Sequence, residues 1–364
     1  MTNLSRLGRR TRHFADKLAQ HSRLWRVPPA VRYISGSLRP SVTATDLIVV
    51  SLVRDGEEHV EDFLTHHFNL GARHVILLDN GSRDRTIEIA RGFDRVTVLK
   101  THLPYKSYKY ALKRYLFQRF SRDGWCLILD IDERFDYPFS DRLPLDGFIT
   151  YLNDHKYTGV VCQTLDLFAE GPIQAWPKGG RALVAESLWY DHSVLRRTPY
   201  VLYGNTLSNP TIMSHWGGIR LSAFDVDASL TKHPLLRKSG GARPSLSSSQ
   251  LCTNATIADV TCVLLHYKFD RHFPEKCRIV AEEESYWQNS RDYKAFLVRL
   301  ERNPRLELKG PTAERFESLD RLADRGFLVV PNTYRWFTEK YAAGSGSDLQ
   351  RRRENAGAGR ETLE

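Results

Sequence analysis

Short apolar runs alternate with segments of helical spacing from Thr43 onward, and this alternation constrains the fold of the 364-residue chain more than any other feature. Residues 47–53 are an apolar, β-branched run typical of a buried strand, and residues 57–70 have the apolar spacing of a helix. Gly71 is expected to end that helix. The pattern then repeats, which predicts strands over residues 74–78, 96–99 and 125–129 and helices over residues 86–91 and 108–120.

Alternating strands and helices predict an α/β fold, with a mostly parallel sheet that carries helices on both faces. In such sheets ligands bind beyond the carboxyl ends of the strands. Polar residues follow three of the predicted strands at that edge. They are Arg54 and Asp55 after the first strand, residues 79–82 after the second, and residues 130–133 after the fourth.

The pattern weakens after Pro144. Strands are predicted over residues 160–167 and 260–267, a loop over 171–180, and helices over 275–300 and 311–325. Residues 204–250 are rich in Gly, Ser and Pro and are interpreted as long substrate loops. The chain is therefore divided into a basic extension (1–42), a first half (43–150), a second half (151–290), a C-terminal helical and loop-rich segment (291–341) and a disordered tail (342–364).

Most of the positive charge lies in the N-terminal extension. Residues 1–40 contain nine lysines or arginines against one acid, Asp16, so +8 of the formal net charge of +10 precedes the first strong strand. The apolar residues of this segment lie on one side of a helix, which predicts a basic amphipathic helix. A helix of this kind over residues 1–27 could lie on an anionic membrane surface. A helix packed on its own domain, or a flexible arm, is the alternative.

Composition excludes several other classes of protein. No run of roughly 18 to 20 apolar residues could span a bilayer, and no hydrophobic signal core follows Met1, so the expected location is the cytoplasm, with peripheral attachment to the inner membrane face. The five cysteines form no CxxC pair, which argues against a disulfide framework or a zinc cage. The basic residues are not interleaved with a reading motif, so no nucleic acid partner is expected.

Asp130 and Asp132 are the candidate metal ligands. They directly follow the apolar run 125–129, and residues i and i+2 of an extended segment point to the same side, so their carboxylates can converge. Carboxylates suit Mg²⁺ or Mn²⁺, which would keep coordination positions for diphosphate oxygens and water. An acidic turn that caps a helix is the alternative interpretation.

Asp79 ends the second predicted strand. Its carboxylate can accept hydrogen bonds from a base or ribose, while Asn80 and Gly81 make the turn that follows. Ser82 and Asp84 suit helix capping better than ligand contact.

Four segments resemble, in order and spacing, the glycosyltransferase family 2-like group with a GT-A (Rossmann-like) fold, and they are also similar to family 92 enzymes. The segments are VRDGE at 53–57, LGARHV at 70–75, DNGSRDRT at 79–86 and LDIDE at 129–133. The resemblance implies that Asp79 contacts the base or ribose, Asp130 the ribose or metal, and Asp132 the metal. It also implies donor contacts at the end of the first strand, at Arg54 and Glu57, although Asp55-Gly56 stands where the family usually has Asn-Glu.

Two later segments extend the resemblance. LLHYKF at 264–269 is similar to a late element of the group, which implies that His266 is a further metal ligand and Lys268 a diphosphate contact. SHWGGIR at 214–220 resembles a Gly-Gly-x-Arg loop, in which Arg220 would pair with phosphate. A structural histidine and a structural turn are the respective alternatives.

The residues that would act on the acceptor are harder to recognise. An inverting transfer needs one carboxylate to take the acceptor proton, and the candidates are Asp166, Glu170, Glu186 and Asp191. Asp191 is preferred because Trp189 and Tyr190 could stack on a sugar ring.

The sequence therefore predicts a metal-dependent, inverting glycosyltransferase with a nucleotide-sugar donor and a glycan or glycolipid acceptor. The alternatives are a non-catalytic sugar-nucleotide or glycan-binding module on the same fold, and a metal-dependent nucleotidyltransferase that releases pyrophosphate.

Overall fold

The computed structural model describes residues 20–122, 124–248, 250–284 and 287–343. Most of the predicted amphipathic helix and of the predicted C-terminal tail lie outside these residues. Within them, no helix is long and apolar enough to cross a membrane.

Seventeen strands are found in the described residues. They are β1 (Arg32–Ser35), β2 (Leu47–Val53), β3 (His74–Asp79), β4 (Val96–Lys100), β5 (Trp125–Leu129), β6 (Glu133–Asp136), β7 (Gly159–Asp166), β8 (Trp189–Tyr190), β9 (Arg196–Pro199), β10 (Thr206–Leu207), β11 (Met213–Trp216), β12 (Thr231–Arg237), β13 (Arg243–Pro244), β14 (Cys252–Thr253), β15 (Thr256–Ile257), β16 (Cys262–His266) and β17 (Glu314–Arg315).

The helices alternate with the strands in the first half of the chain and cluster toward the end. They are α1 (20–30), α2 (Glu57–Leu70), α3 (Thr86–Arg91), α4 (Tyr105–Phe120), α5 (Leu145–Asp154), α6 (Gly180–Glu186), α7 (Ile219–Phe224), α8 (Phe273–Glu283), α9 (Trp287–Arg302), α10 (Leu319–Asp324) and α11 (332–343).

One sheet of eleven strands organises the described part of the chain, in the order β1-β4-β3-β2-β5-β12-β7-β15-β10, with β16 paired to both β7 and β6. Strands β4, β3, β2 and β5 are mutually parallel, as are β16, β7, β15 and β10. The antiparallel strand β12 joins these two groups by pairing with β5 and β7. The predicted α/β fold with a mostly parallel sheet is confirmed. The same sheet contains strands from both sides of residue 150, where the two predicted halves of the chain meet. The division into these halves stays a prediction.

Strand β2 shows why the sheet forms at the centre of the molecule. All of its residues are buried, and alternate side chains enter two separate cores. Val49 belongs to the core that also contains Phe63 of α2, whereas Val50 belongs to the core that contains Leu116 of α4 on the other face. Helix α2 ends as predicted at Gly71, whose φ of 112° lies in the left-handed region that favours glycine.

The interpretation of residues 204–250 as loops was wrong at β12, which is a central strand. Pro234 argues against a central strand because proline lacks the N–H that a sheet requires. The structure accommodates it with a shift in register between Lys232 and Leu235, where β12 pairs with β7. The helix predicted over residues 311–325 is also shorter than expected, since only α10 forms there and Glu314–Arg315 make a strand with β8.

Candidate active site

Five chain segments meet at one edge of the sheet. Strands β5, β7 and β16 end there, and β6 begins there with Glu133 paired to His266. Strand β12 runs in the opposite direction to β5 and β7, so its first residues, Thr231 and Lys232, reach the same edge. The carboxyl edge that was predicted to bind ligand therefore contains side chains from both halves of the chain.

The turns after β2 and β3 are joined by reciprocal hydrogen bonds. The amides of Asp55 and Glu57 donate to the side chains of Ser82 (2.9 Å) and Asp84 (2.9 Å). In return, the carboxylates of Asp55 and Glu57 accept from the amides of the second turn at 2.8 and 3.0 Å. The Glu57 carboxylate is thus used in holding the turns together. Arg54 is about half exposed and pairs with Asp55 at 3.6 Å.

Asp79 is buried at the end of β3. Its carboxylate accepts hydrogen bonds from the amides of Gly81 (3.0 Å) and Ser82 (3.1 Å), and Nζ of Lys100 lies 3.8 Å away. This arrangement explains the tight turn that follows the strand. A contact between Asp79 and a base or ribose stays a prediction, as do donor contacts by Arg54 and Glu57.

Asp130 lies between two lysines. Lys113 of α4 donates to Oδ1 at 2.8 Å, and Lys232 of β12 donates to Oδ2 at 3.2 Å. Lys232 also forms an ion pair with the buried Glu133, whose second oxygen accepts the Asp130 amide at 3.0 Å. Loss of water raises the pKa of Asp130, but the two ammonium groups outweigh that effect and hold the pKa below its ordinary value.

Asp132 faces His266 instead. Its Oδ2 lies 3.5 Å from Nε2 of His266, and Nδ1 of that imidazole lies 2.5 Å from Oδ1 of Asp166. Arg220 holds Asp166 from the other side with two hydrogen bonds of 2.7 Å. Burial lowers the pKa of His266, but the carboxylates of Asp132 and Asp166 outweigh it and raise the pKa above its ordinary value.

The donor chemistry of this pair fits a divalent cation. An imidazole nitrogen and a carboxylate oxygen lie at nearly the separation of two ligands on one ion, and Asp166 orients the imidazole as an outer-shell carboxylate does in metalloproteins. No three His, Cys, Asp or Glu side chains of the described residues are arranged as a metal site. Mg²⁺ and Mn²⁺ do not require three protein side chains, because these ions commonly keep several ligands from phosphate and water. Asp130 is a weaker candidate for a metal ligand than Asp132 or His266, since both of its carboxylate oxygens face lysines.

Lys268 is enclosed by aromatic rings. Its Nζ lies 4.8 Å from the centre of the Tyr293 ring and within 5.6 Å of the ring centres of Phe273 and Phe296. Burial, with help from Arg220 and Lys276, lowers the pKa of Lys268 to about 8. A diphosphate contact by Lys268 or by Arg220 stays a prediction.

Cations outnumber carboxylates in the cluster around Asp130 and Asp132. Burial raises the pKa of Asp132, but His266, with smaller effects from Lys276 and Lys268, outweighs it and holds that pKa well below its ordinary value. The four carboxylates are Asp130, Asp132, Glu133 and Asp166, and the cations are Lys113, Arg220, Lys232, Lys268 and Lys276, besides His266. The excess of positive charge favours an anionic ligand.

The predicted acceptor base, Asp191, is buried and hydrogen bonded. It accepts from the Ser193 amide at 2.7 Å and from the hydroxyl groups of Thr312 (3.1 Å) and Ser222 (3.4 Å). Among the other acids considered, Asp166 is bound to Arg220 and His266, and Glu170 pairs with Lys309 on the surface. A catalytic role for Asp191 stays a prediction.

Sequence reasoning missed Lys113, Lys232 and the pairing role of Glu133. One usable indication existed in α4, where Lys109 and Lys113 interrupt an otherwise apolar helix face and are both buried. For Lys232 we find no such indication, because its neighbours Thr231, His233 and Pro234 do not predict a central strand.

Matches to known proteins are found among solved structures. No family model matches the chain, and no curated protein does. The chain is similar to TarS residues 1–349 from S. aureus, with 15% identity and a TM-score of 0.33 over 71% of this chain and 72% of that one. It is also similar to the mannosyltransferase PcManGT from Pyrobaculum calidifontis, solved with GDP-Man and Mn²⁺, with 17% identity and a TM-score of 0.25 over 41% of this chain and 44% of that one.

Proposed function

We propose that the protein is a glycosyltransferase that moves a sugar from a nucleotide-sugar donor to a glycan or glycolipid acceptor. The observation that carries the proposal is the pair formed by Asp132 and His266 at the carboxyl edge of the sheet, surrounded by an excess of cations. A nucleoside diphosphate is an anion of the size and charge that such an edge can bind.

The residues divide into two groups by their proposed roles. Asp132 and His266 would hold Mn²⁺ or Mg²⁺, and a bound ion supplies charge stabilisation for a departing diphosphate. Asp166 and Arg220 position the His266 imidazole. Lys113 and Lys232 neutralise Asp130 and Glu133, so that these carboxylates do not repel the donor.

We further propose an inverting reaction with Asp191 as the base that takes the acceptor proton. Such a transfer needs a single carboxylate on the acceptor side. Asp191 is joined to the site through Ser222 of α7, the helix that also carries Arg220.

The test is release of nucleoside diphosphate from a panel of sugar nucleotides in the presence of Mn²⁺. We expect release with at least one donor, and a loss of at least about a hundredfold in Asp132→Asn and His266→Gln, which corresponds to about 2.7 kcal/mol. Asp141→Asn, at an exposed aspartate, is the matched control. Absence of release with every donor, or undiminished release by Asp132→Asn, would count against an enzyme.

Two other functions give different results in the same assay. A non-catalytic binding module would be stabilised against heat by a sugar nucleotide but would release nothing. A nucleotidyltransferase would release pyrophosphate instead of a nucleoside diphosphate.

A further inference from the structure

A recess lies on the other side of strand β12 from the candidate active site. It has a cavity volume of about 90 Å³, which is room for several water molecules. A narrower opening of about 10 Å³, which reaches Lys113 and Ile128, shares three lining residues with it, namely His233, Ser248 and Leu251. The recess and the narrower opening therefore lie side by side at these three residues.

Strand β12 separates the recess from the cation-rich edge. Lys232 points toward Asp130, while its neighbours Thr231 and His233 line the recess. This follows from the alternation of side chains along a strand. Trp216, which also lines the recess, precedes Gly217-Gly218 and helix α7, the helix that carries Arg220.

Aromatic rings and uncharged polar groups make up most of the lining. Tyr200, Tyr203 and Trp216 contribute rings, and the polar groups are those of Ser214, Ser229, Thr231, Ser248 and Gln250. Trp216 is held by a 3.1 Å hydrogen bond from Nε1 to Thr198, so its ring is oriented in advance. No Asp, Glu, Lys or Arg is found among the residues that line this recess.

His233 adds no charge to the lining near neutral pH. Burial lowers the pKa of its imidazole to about 4. Its Nδ1 lies 2.8 Å from the Gln250 carbonyl, to which it donates, and its Nε2 lies 2.7 Å from the Tyr200 hydroxyl. The recess thus combines apolar ring faces with hydrogen-bonding groups and lacks the charges that would select an ion.

We propose that this recess binds a neutral pyranose ring of the acceptor, with Tyr203 and Trp216 against the ring and the serine and glutamine side chains on its hydroxyl groups. A sugar ring presents an apolar face of C–H groups and a rim of hydroxyl groups, which matches this lining. The assignment rests on the proposed function, because it places the acceptor beside the donor site across β12.

The experiment measures saturation-transfer NMR signals of methyl glycosides mixed with the whole protein, without nucleotide or metal. The probes are methyl β-D-glucopyranoside, methyl α-D-mannopyranoside and the methyl glycoside of N-acetyl-β-D-glucosamine, with methyl β-D-glucuronide as the charged comparison. Because no donor is present, the glycoside-binding result does not depend on the outcome of the transferase assay. Absence of glycoside binding likewise does not contradict release of nucleoside diphosphate.

We expect at least one neutral glycoside to give signals, and Trp216→Ala and Tyr203→Asn each to weaken its binding about tenfold, which equals about 1.4 kcal/mol. Asparagine suits position 203 because its φ is 48°. Trp336→Ala, at a tryptophan that is 62% exposed on α11, is the matched control.

Three results would overturn the assignment. The first is an absence of signals from every neutral glycoside with the wild-type protein. The second is undiminished binding by Tyr203→Asn. This substitution removes a ring that is about half exposed, so it does not disturb the core of the fold. The third is stronger binding of the glucuronide than of the neutral sugars.

Discussion

Oδ2 of Asp132 lies 3.5 Å from Nε2 of His266, although Asp132 lies in the turn between β5 and β6 and His266 ends β16, far along the chain. Asp166 approaches the opposite nitrogen of the same imidazole at 2.5 Å. An outer carboxylate of this kind fixes the orientation of the ring and the nitrogen that is presented to a ligand. The pair and its supporting carboxylate lead to the first prediction.

Asp166→Asn is expected to weaken the response to Mn²⁺. Changing the outer partner of a ligating histidine typically lowers metal affinity about 10- to 100-fold. After treatment with a chelator, the Mn²⁺ concentration that gives half-maximal activity should therefore rise by that factor, with a smaller change in activity at saturating Mn²⁺. An unchanged half-maximal concentration would show that Asp166 does not act through His266.

Lys232→Met is expected to destabilise the protein strongly. The substitution leaves Glu133, which is 1% exposed, without its cation, and removal of one partner of a buried ion pair costs about 3–5 kcal/mol. Urea unfolding measures the loss. The double variant Lys232→Met with Glu133→Gln should recover part of it, since the unpaired charge is gone. Equal stabilities of the single and double variants would mean that the two residues do not interact.

Stability should fall as the pH is lowered from about 6.5 toward 4. Burial lowers the pKa of His233 to about 4, and burial lowers that of His215 to about 3, so the unfolded chain binds protons that the folded chain does not. The contribution of His233 is present above the unfolded pKa of about 6.5 and amounts to about 3 kcal/mol. Urea midpoints across this range should have a shallower pH dependence in His233→Gln than in the wild type, with His272→Gln as the exposed control.

Asp191→Asn separates a catalytic from a structural role. If Asp191 is the acceptor base, the variant should lose about 10²- to 10⁴-fold in turnover while the thermal midpoint changes little, because asparagine can still accept the Ser193 amide. A large drop in the midpoint with turnover preserved in the folded fraction would assign the residue to the scaffold. Thermal unfolding and single-turnover transfer, measured on the same samples, distinguish these outcomes.

Local sequence determined the elements of the first half and the position of the acidic motif. The run 47–53, the helix ending at Gly71 and the strand before Asp130 are all found where hydrophobic period and turn residues predict them. Such signals are readable because burial on both faces of a parallel strand requires a continuous apolar run, and the reversal after a helix requires glycine.

Tertiary structure alone decided which side chains meet. It placed Lys113 and Lys232 on Asp130, and it made a central strand of a segment that contains Pro234. These contacts join residues that are distant in the chain, and no local periodicity records them. Their energies depend on the charges that remain near each group after water is removed, and those neighbours are set only when the sheet has formed.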